Sequence, residues 1–267
     1  MNNSIEWSSD DDSNNKNNPW QNPKKSNFED LILKEEYRSR RLRFEPGMTW
    51  MRILPAFKTS PFAWMLGVHA LSFESGHFAH PKTLHPNARS VWDHCYGWAK
   101  ENHPQALYSK ANKQGIRLLT DPVCVFWALV EQNGTYVARL FQGSGYDASR
   151  GGAPGLGHQI LKLTQEVDER DNLVAEPVHP ERGVLIGVEK TKTTGSQYPS
   201  YALRVGRQPA PMADVLGKTS DEEIEVLRPL EKVIRAVSDE EEWHFLAKVL
   251  SPDHLAAFRE SLNRKAA

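Results

Sequence analysis

Aromatic rings interleaved with cations are the residues of this chain best suited to chemistry, and the chemistry they suit is non-covalent. Within residues 49–64 the sequence places Trp50, Phe57, Phe62 and Trp64 beside Arg52 and Lys58. Such a mixture can stack unpaired bases on its π-faces while holding phosphates nearby. The competing reading is a buried strand whose aromatics are core. Alternation along a strand sends neighbours to opposite faces. Trp50 and Arg52 are therefore expected to face a groove, with Met51 and Ile53 inside. A second concentration lies in residues 183–205, with Lys190 and Lys192 at the tip of a hairpin and Tyr198, Tyr201 and Arg204 on its returning strand. Basic tip residues and strand aromatics are what an electrostatic groove with stacking platforms needs. The same alternation would turn some of the tyrosines inward.

Other chemistries are thinner. Histidine is concentrated at His69, His77, His80, His85, His94 and His103, and Cys95 adjoins His94. Zinc takes imidazole and thiolate ligands tetrahedrally, so His77, His80, His94 and Cys95 are candidate ligands. No Cys-x-x-Cys accompanies them, and His-Pro pairs are common in ordered loops. Residues 143–157 are glycine-rich but lack the Gly-Lys-Ser/Thr ending of a Walker loop. They read as a connector before a helix whose first N–H groups could hold one phosphate. No serine sits in a nucleophile elbow, and the carboxylates at 239–242 lie at a helix start. No catalytic set emerges, so the expectation is a protein that is not an enzyme and needs no cofactor, with zinc as the one alternative.

The elements that must position these residues follow from pattern. Residues 1–28 are mostly Asn, Ser, Asp and Lys and are expected to form a disordered polar tail. Residues 29–44 read as a helix. Strands are expected near 51–54 and 63–71, and an irregular His-rich insertion over 72–114 with a helix at 88–101. A hairpin turns at Asn133-Gly134 between strands 122–131 and 135–141. A helix follows over 156–170, then a strand hairpin at 183–190 and 198–205, with Pro209 and Pro211 closing the domain. Ser220 with Glu223, Ser238 with Glu241, and Ser251-Pro252 mark three helix starts over 221–264. Five strands and one internal helix in this order lead to a mainly β fold, an OB-type five-stranded Greek-key barrel over 29–218, followed by an acidic helical segment over 219–267.

Composition is permissive. The chain has 267 residues, a quarter of them charged, and a net charge of −1. Residues 219–242 hold nine acidic and three basic side chains, a net −6, which leaves +5 for the rest. A mildly basic body with an acidic segment fits a polyanion binder. Two cysteines, no secretory signal and no run of eighteen apolar residues lead to the expectation of a cytoplasmic protein with no membrane partner.

Two segments carry a resemblance to a known family. Gly47-Met-Thr-Trp-Met-Arg-Ile-Leu-Pro55 is similar to the opening strand of the single-stranded-DNA-binding, helix-destabilising proteins of tailed bacteriophages, and residues 183–201 resemble that family's later hairpin, followed by a Pro-x-Pro step at Pro209–Pro211. The likeness covers roughly residues 40–212. It implies an OB fold that coats single strands without reading sequence, during phage DNA replication, recombination and repair in the infected host's cytoplasm. It also implies that Trp50, Arg52, Lys190, Lys192, Tyr198 and Tyr201 line the groove, with Phe57, Lys58, Trp64 and Arg204 as further candidates from the pattern itself. The chain departs from the family in its insertion, where some relatives hold zinc through one His and three Cys, and in its acidic segment, which here has helix signals and basic residues after it. Two other readings remain: a zinc-dependent nucleic-acid-processing enzyme built on the His-rich insertion, and a module that binds replication or recombination proteins through its carboxyl helices.

Overall fold

The structure is a computed structural model describing residues 31–56, 60–72, 76–109, 112, 115–147, 154–163, 177–192 and 199–266. Its centre is the strand β4 (Asp121–Gln132), which turns at Asn133-Gly134 into β5 (Thr135–Ser144). Asn133 and Gly134 take φ of 52° and 81°. That left-handed pair suits a two-residue hairpin, because its twist matches the twist of the strands. The two strands then stay in register from Gln132↔Thr135 to Val123↔Ser144.

The other edge of β4 is divided. Its first half pairs with β2 (Ala63–Ser72), and its second half pairs with β1 (Gly47–Ile53) at Ile53↔Ala128 to Met51↔Val130. From Met51 back to Gly47, β1 pairs instead with β6 (Val184–Thr191), which forms a hairpin with β7 (Ser200–Pro209). A short β3 (Gly76–Ala79) flanks β2. All these ladders are antiparallel, and the order is β3-β2-β4-β1-β6-β7 with β5 on the remaining edge of β4.

In place of the expected mainly β fold with a five-stranded Greek-key barrel, the structure has a mixed fold, an open seven-stranded antiparallel sheet with helices. The described helices are α1 (Glu35–Arg38), α2 (Pro81–Leu84), α3 (Val91–Asn102), α4 (Leu156–Leu163), α5 (Met212–Leu216), α6 (Asp221–Glu225), α7 (Leu230–Val233), α8 (Asp239–Val249) and α9 (Pro252–Ala266). The helix expected over 29–44 shrinks to the single turn of α1. Leu31, Ile32 and Leu33 are spent on extended pairing instead. Leu31 N–H donates to the His77 carbonyl, and Leu33 bridges Ile234. The helix expected from 156 is described only as α4, because residues 164–176 lie outside the described set.

One face of the sheet buries Met51, Ile53, Phe126, Phe141, Ile186 and Val188 under Ile160 of α4. The other buries Leu66, Trp127, Leu129 and Leu140 under Met212, Leu227, Leu230, Val233 and Ile234. Pro211 therefore does not close the folded body, since Met212, Val215, Leu227, Leu230, Val233 and Ile234 beyond it pack into this core. A third cluster joins Trp92, Cys95 and Trp98 of α3 to Phe245, Leu246 and Phe258 of α8 and α9.

The three helix starts read from sequence are present at Ser220, Ser238 and Ser251. The acidic segment is not a separate arm. Glu223 accepts from Arg40 at 2.5 Å and from the Ala138 N–H at 2.8 Å. Glu241 completes the capping box of α8 with Ser238 and pairs with Arg235. Glu242 is fully buried and accepts from Ser90 Oγ at 2.9 Å and the Val91 N–H at 2.6 Å. A carboxylate from α8 thus serves the open amides at the start of α3.

Glu242→Ala is expected to lower stability by about 1–3 kcal/mol, because the buried Ser90 hydroxyl and the partly buried Val91 N–H lose their acceptor. Urea unfolding of the variant beside Glu242→Gln, which keeps one acceptor, checks this: the Gln variant should lose less.

Candidate nucleic-acid interface

Register divides the residues expected in one groove between two faces. Gly47 stands opposite Lys190, and Lys190 opposite Tyr201. Lys190 and Tyr201 share the face of Met51, Ile186 and Val188. Trp50 stands opposite Gly187, and Gly187 opposite Arg204. That places Trp50 and Arg204 on the reverse face. Trp50 is half-buried there, lying over Gly187 so closely that a Cβ at that position would sit 2.9 Å from its ring. Arg204 is exposed and paired with Glu189 at 2.8 Å.

Arg52 is placed differently from the expectation. It is 0% exposed. Its Nε donates to the Ala210 carbonyl at 2.9 Å and its Nη1 to the Ile53 carbonyl at 2.9 Å, with further bonds to the carbonyls of Pro177 and His179. Burial draws its pKa down to about 10. Alternation put Arg52 beside Trp50 correctly, but the segments around 177–183 and 210 cover that end of the face. Gly183 is required beside it, because a Cβ there would overlap the guanidinium. Met51 and Ile53 are fully buried in the core, as alternation predicts.

Trp64 is half-buried against the core of the reverse face, and its indole N–H has no partner among the described residues. Lys192 is exposed at the end of the described hairpin. Phe57, Lys58 and Tyr198 lie outside the described residues.

What the fold does assemble is a groove of about 1170 Å³ between the outer strands β5 and β7. The residues 41–45 lie along it, with Phe141–Ser144 of β5, the start of α4, and Lys190, Ser200 and Tyr201 as the other walls. The chain before β1 enters this gap because Leu140 N–H donates to the Arg40 carbonyl at 2.8 Å and Leu42 N–H to the Leu140 carbonyl at 2.7 Å. Lys190 Nζ donates to the Phe44 carbonyl at 2.6 Å, and the Phe44 and Tyr201 rings meet edge-on at 5.9 Å. Burial raises the Tyr201 hydroxyl pKa, so it stays a neutral donor. Arg41, Arg43 and Lys190 outnumber the single carboxylate of Glu45 in the lining. Arg40 points elsewhere and is neutralised by Glu223.

The glycine-rich run serves this wall through close packing. A Cβ at Gly157 would press on Cys124 at 2.7 Å, so glycine lets α4 dock directly on β4. Arg41, Arg43 and Phe44 escaped the sequence reading although the signal was present: four arginines within residues 38–43, followed by Phe44. Reading 29–44 as a helix hid it, because on a helix those arginines would simply form a solvated face.

The zinc candidates are not gathered. His80 is buried and accepts the Lys82 N–H at Nδ1, leaving Nε2 to donate to Asp93 at 3.0 Å. His94 is exposed, whereas Cys95 is buried with its pKa pushed up to about 12. His77 sits on β3. Among the described residues no three His, Cys, Asp or Glu side chains form a group able to hold a metal ion. His69, 1% exposed, stacks among Phe78, His80 and Trp92, and neither ring nitrogen has a partner among the described residues.

No protein-family model and no curated protein matches this chain. Among the described residues no helix is long and apolar enough to cross a membrane.

His69 generates a pH prediction. Burial, followed by the neighbouring His80, draws its pKa from 6.5 down to about 3, against a smaller opposing pull from Asp93. Because the folded value is depressed, its contribution to stability is full above about pH 6.5 and is lost as pH falls toward 3, at up to about 1.4 kcal/mol per pH unit. Urea midpoints between these limits should fall less steeply for His69→Phe than for the parent protein.

Proposed function

We propose that this protein binds single-stranded DNA without sequence specificity, in the groove between β5 and β7. The observation that carries the reading is the lining itself: Arg41, Arg43 and Lys190 for phosphates, and Phe44 and Tyr201 in mutual contact as a surface for bases. Cations release counterions from the phosphates, and each stacked base contributes about 1–3 kcal/mol.

The topology supports an OB-type reading of the sheet. Taken alone, β5-β4-β1-β6-β7 is a five-stranded antiparallel set with its first strand in the middle and α4 between its third and fourth members in chain order. Joining the outer strands β5 and β7 would close a Greek-key barrel, and OB barrels are often partly open. In this reading β2, β3, α2 and α3 are an elaborated connection between the first two barrel strands. The groove then lies at the barrel's open seam, beside the hairpin joining its last two strands, a place where OB folds bind oligonucleotides. The resemblance to phage helix-destabilising proteins fits a role in coating and organising strands during phage replication and recombination in the host cytoplasm, with no catalysis and no cofactor.

Fluorescence anisotropy of a labelled single strand and of a matched duplex tests the proposal. The single strand is expected to bind more tightly, with affinity falling as salt rises. Arg43→Ala is expected to reduce the salt slope by about 0.7, the share of one phosphate contact on a single strand. Tyr201→Ala is expected to cost about 1–3 kcal/mol. Equal affinity for duplex, or variants that bind as the parent does, would remove this groove as the site.

A further inference from the structure

A second cavity of about 590 Å³ opens on the same face of the sheet, beyond α4. Its floor is the β2 stripe Met65, Gly67 and His69, and its walls come from α2, α3 and residues 118–120. Three features point to an occupant. First, the floor holds His69, whose two buried ring nitrogens have no partner among the described residues, a rare state for a native side chain. A neutral imidazole in that state offers one donor and one acceptor. Second, the rim presents another such pair. Asp93 accepts from His80 at 3.0 Å and from Lys82 at 2.5 Å, and both Asp93 and Lys82 remain about half exposed. Third, flat and apolar surfaces flank these groups, namely Tyr96, Met65 and the exposed Leu119. A planar molecule with a donor beside an acceptor on its edge answers the rim pair and the flat apolar walls.

The position adds the source. Ser144 lines the proposed DNA groove, and the next residue, Gly145, packs so closely on Met65 that a Cβ there would lie 2.4 Å from its sulfur. Met65 in turn lines this cavity. Groove and cavity therefore adjoin along one sheet face. We infer that the cavity between β2 and α3 is a base-binding subsite, taking one nucleobase of the bound strand whose edge carries an exocyclic amine beside an acceptor. The amine lies toward Asp93 and the acceptor toward Lys82, and the ring is held against Tyr96 and Leu119. This rests on the groove binding single-stranded DNA, and it adds a modest base preference to sequence-independent coating.

Oligo(dC) and oligo(dU) of equal length separate the two claims, because the bases differ only along that edge: an amine beside an acceptor in cytosine becomes a carbonyl beside an N–H in uracil. At neutral pH the full chain is expected to bind oligo(dC) roughly 2- to 10-fold more tightly, the range one net hydrogen bond confers. Asp93→Asn and Lys82→Ala should each shrink that ratio toward one. Ultraviolet crosslinking of the oligo(dC) complex should label Tyr96. Equal binding of the two oligomers, with single strands still preferred over duplex, overturns the subsite and leaves the groove standing. A preference that persists in both variants, or a crosslink that avoids Tyr96, overturns it as well. Failure to bind any single strand overturns both readings.

Discussion

A strand has two hydrogen-bonding edges, and how β4 spends them shapes the molecule. One edge is committed over its whole length to β5 by the two-residue turn. The other must serve both β2 and β1, and neither can run its full length along β4. Displaced after three residue pairs, β1 finds its remaining partners on β6. The two hairpins are thereby held on opposite sides of β1, and their outer strands, β5 and β7, face each other across a gap. An unpaired edge inside a protein is costly and outside it is a liability. Here Arg40–Leu42 bonds the edge of β5 at Leu140, which brings the arginines and Phe44 to the groove.

The same economy of backbone groups explains Arg52. Segments 177–183 and 210 cross one end of the sheet as irregular chain, so their carbonyls lack ladder partners. A guanidinium with a fixed fork of donors can satisfy several of them at once. The cost is a buried charge with no carboxylate bonded to it among the described residues, visible in its lowered pKa. A cation that looks like a phosphate contact in the sequence is therefore part of the internal hydrogen bonding. The acidic residues are used in a parallel way. Glu223, Glu241 and Glu242 close hydrogen bonds within the body, so the carboxyl helices are built into the cores of the sheet and of α3.

Much was legible beforehand. The Asn133-Gly134 turn, the strands around it, the capping serines and the inward placement of Met51 and Ile53 all depend on local rules. Each is set by φ preference, by alternation or by a side chain reaching its own backbone. The chain before β1 was misread for the opposite reason. Leu31 to Leu33 is equally apolar as helix or extended chain, and the choice was made by distant partners, His77 and Ile234.

The sequence by itself determined the strands, the two-residue hairpin, the helix starts and the presence of cation–aromatic clusters, because these are properties of neighbouring residues. Only the tertiary structure decided which cluster members meet. Alternation puts Trp50 and Arg204 on one face and Lys190 and Tyr201 on the other, but which face stays open depends on what packs over it. The segments around 177–183 and 210 buried Arg52, while the gap between β5 and β7 left Arg43 and Tyr201 accessible. The burial of a charged side chain such as Arg52 is set by contacts between residues far apart in the chain, and alternation alone does not encode it.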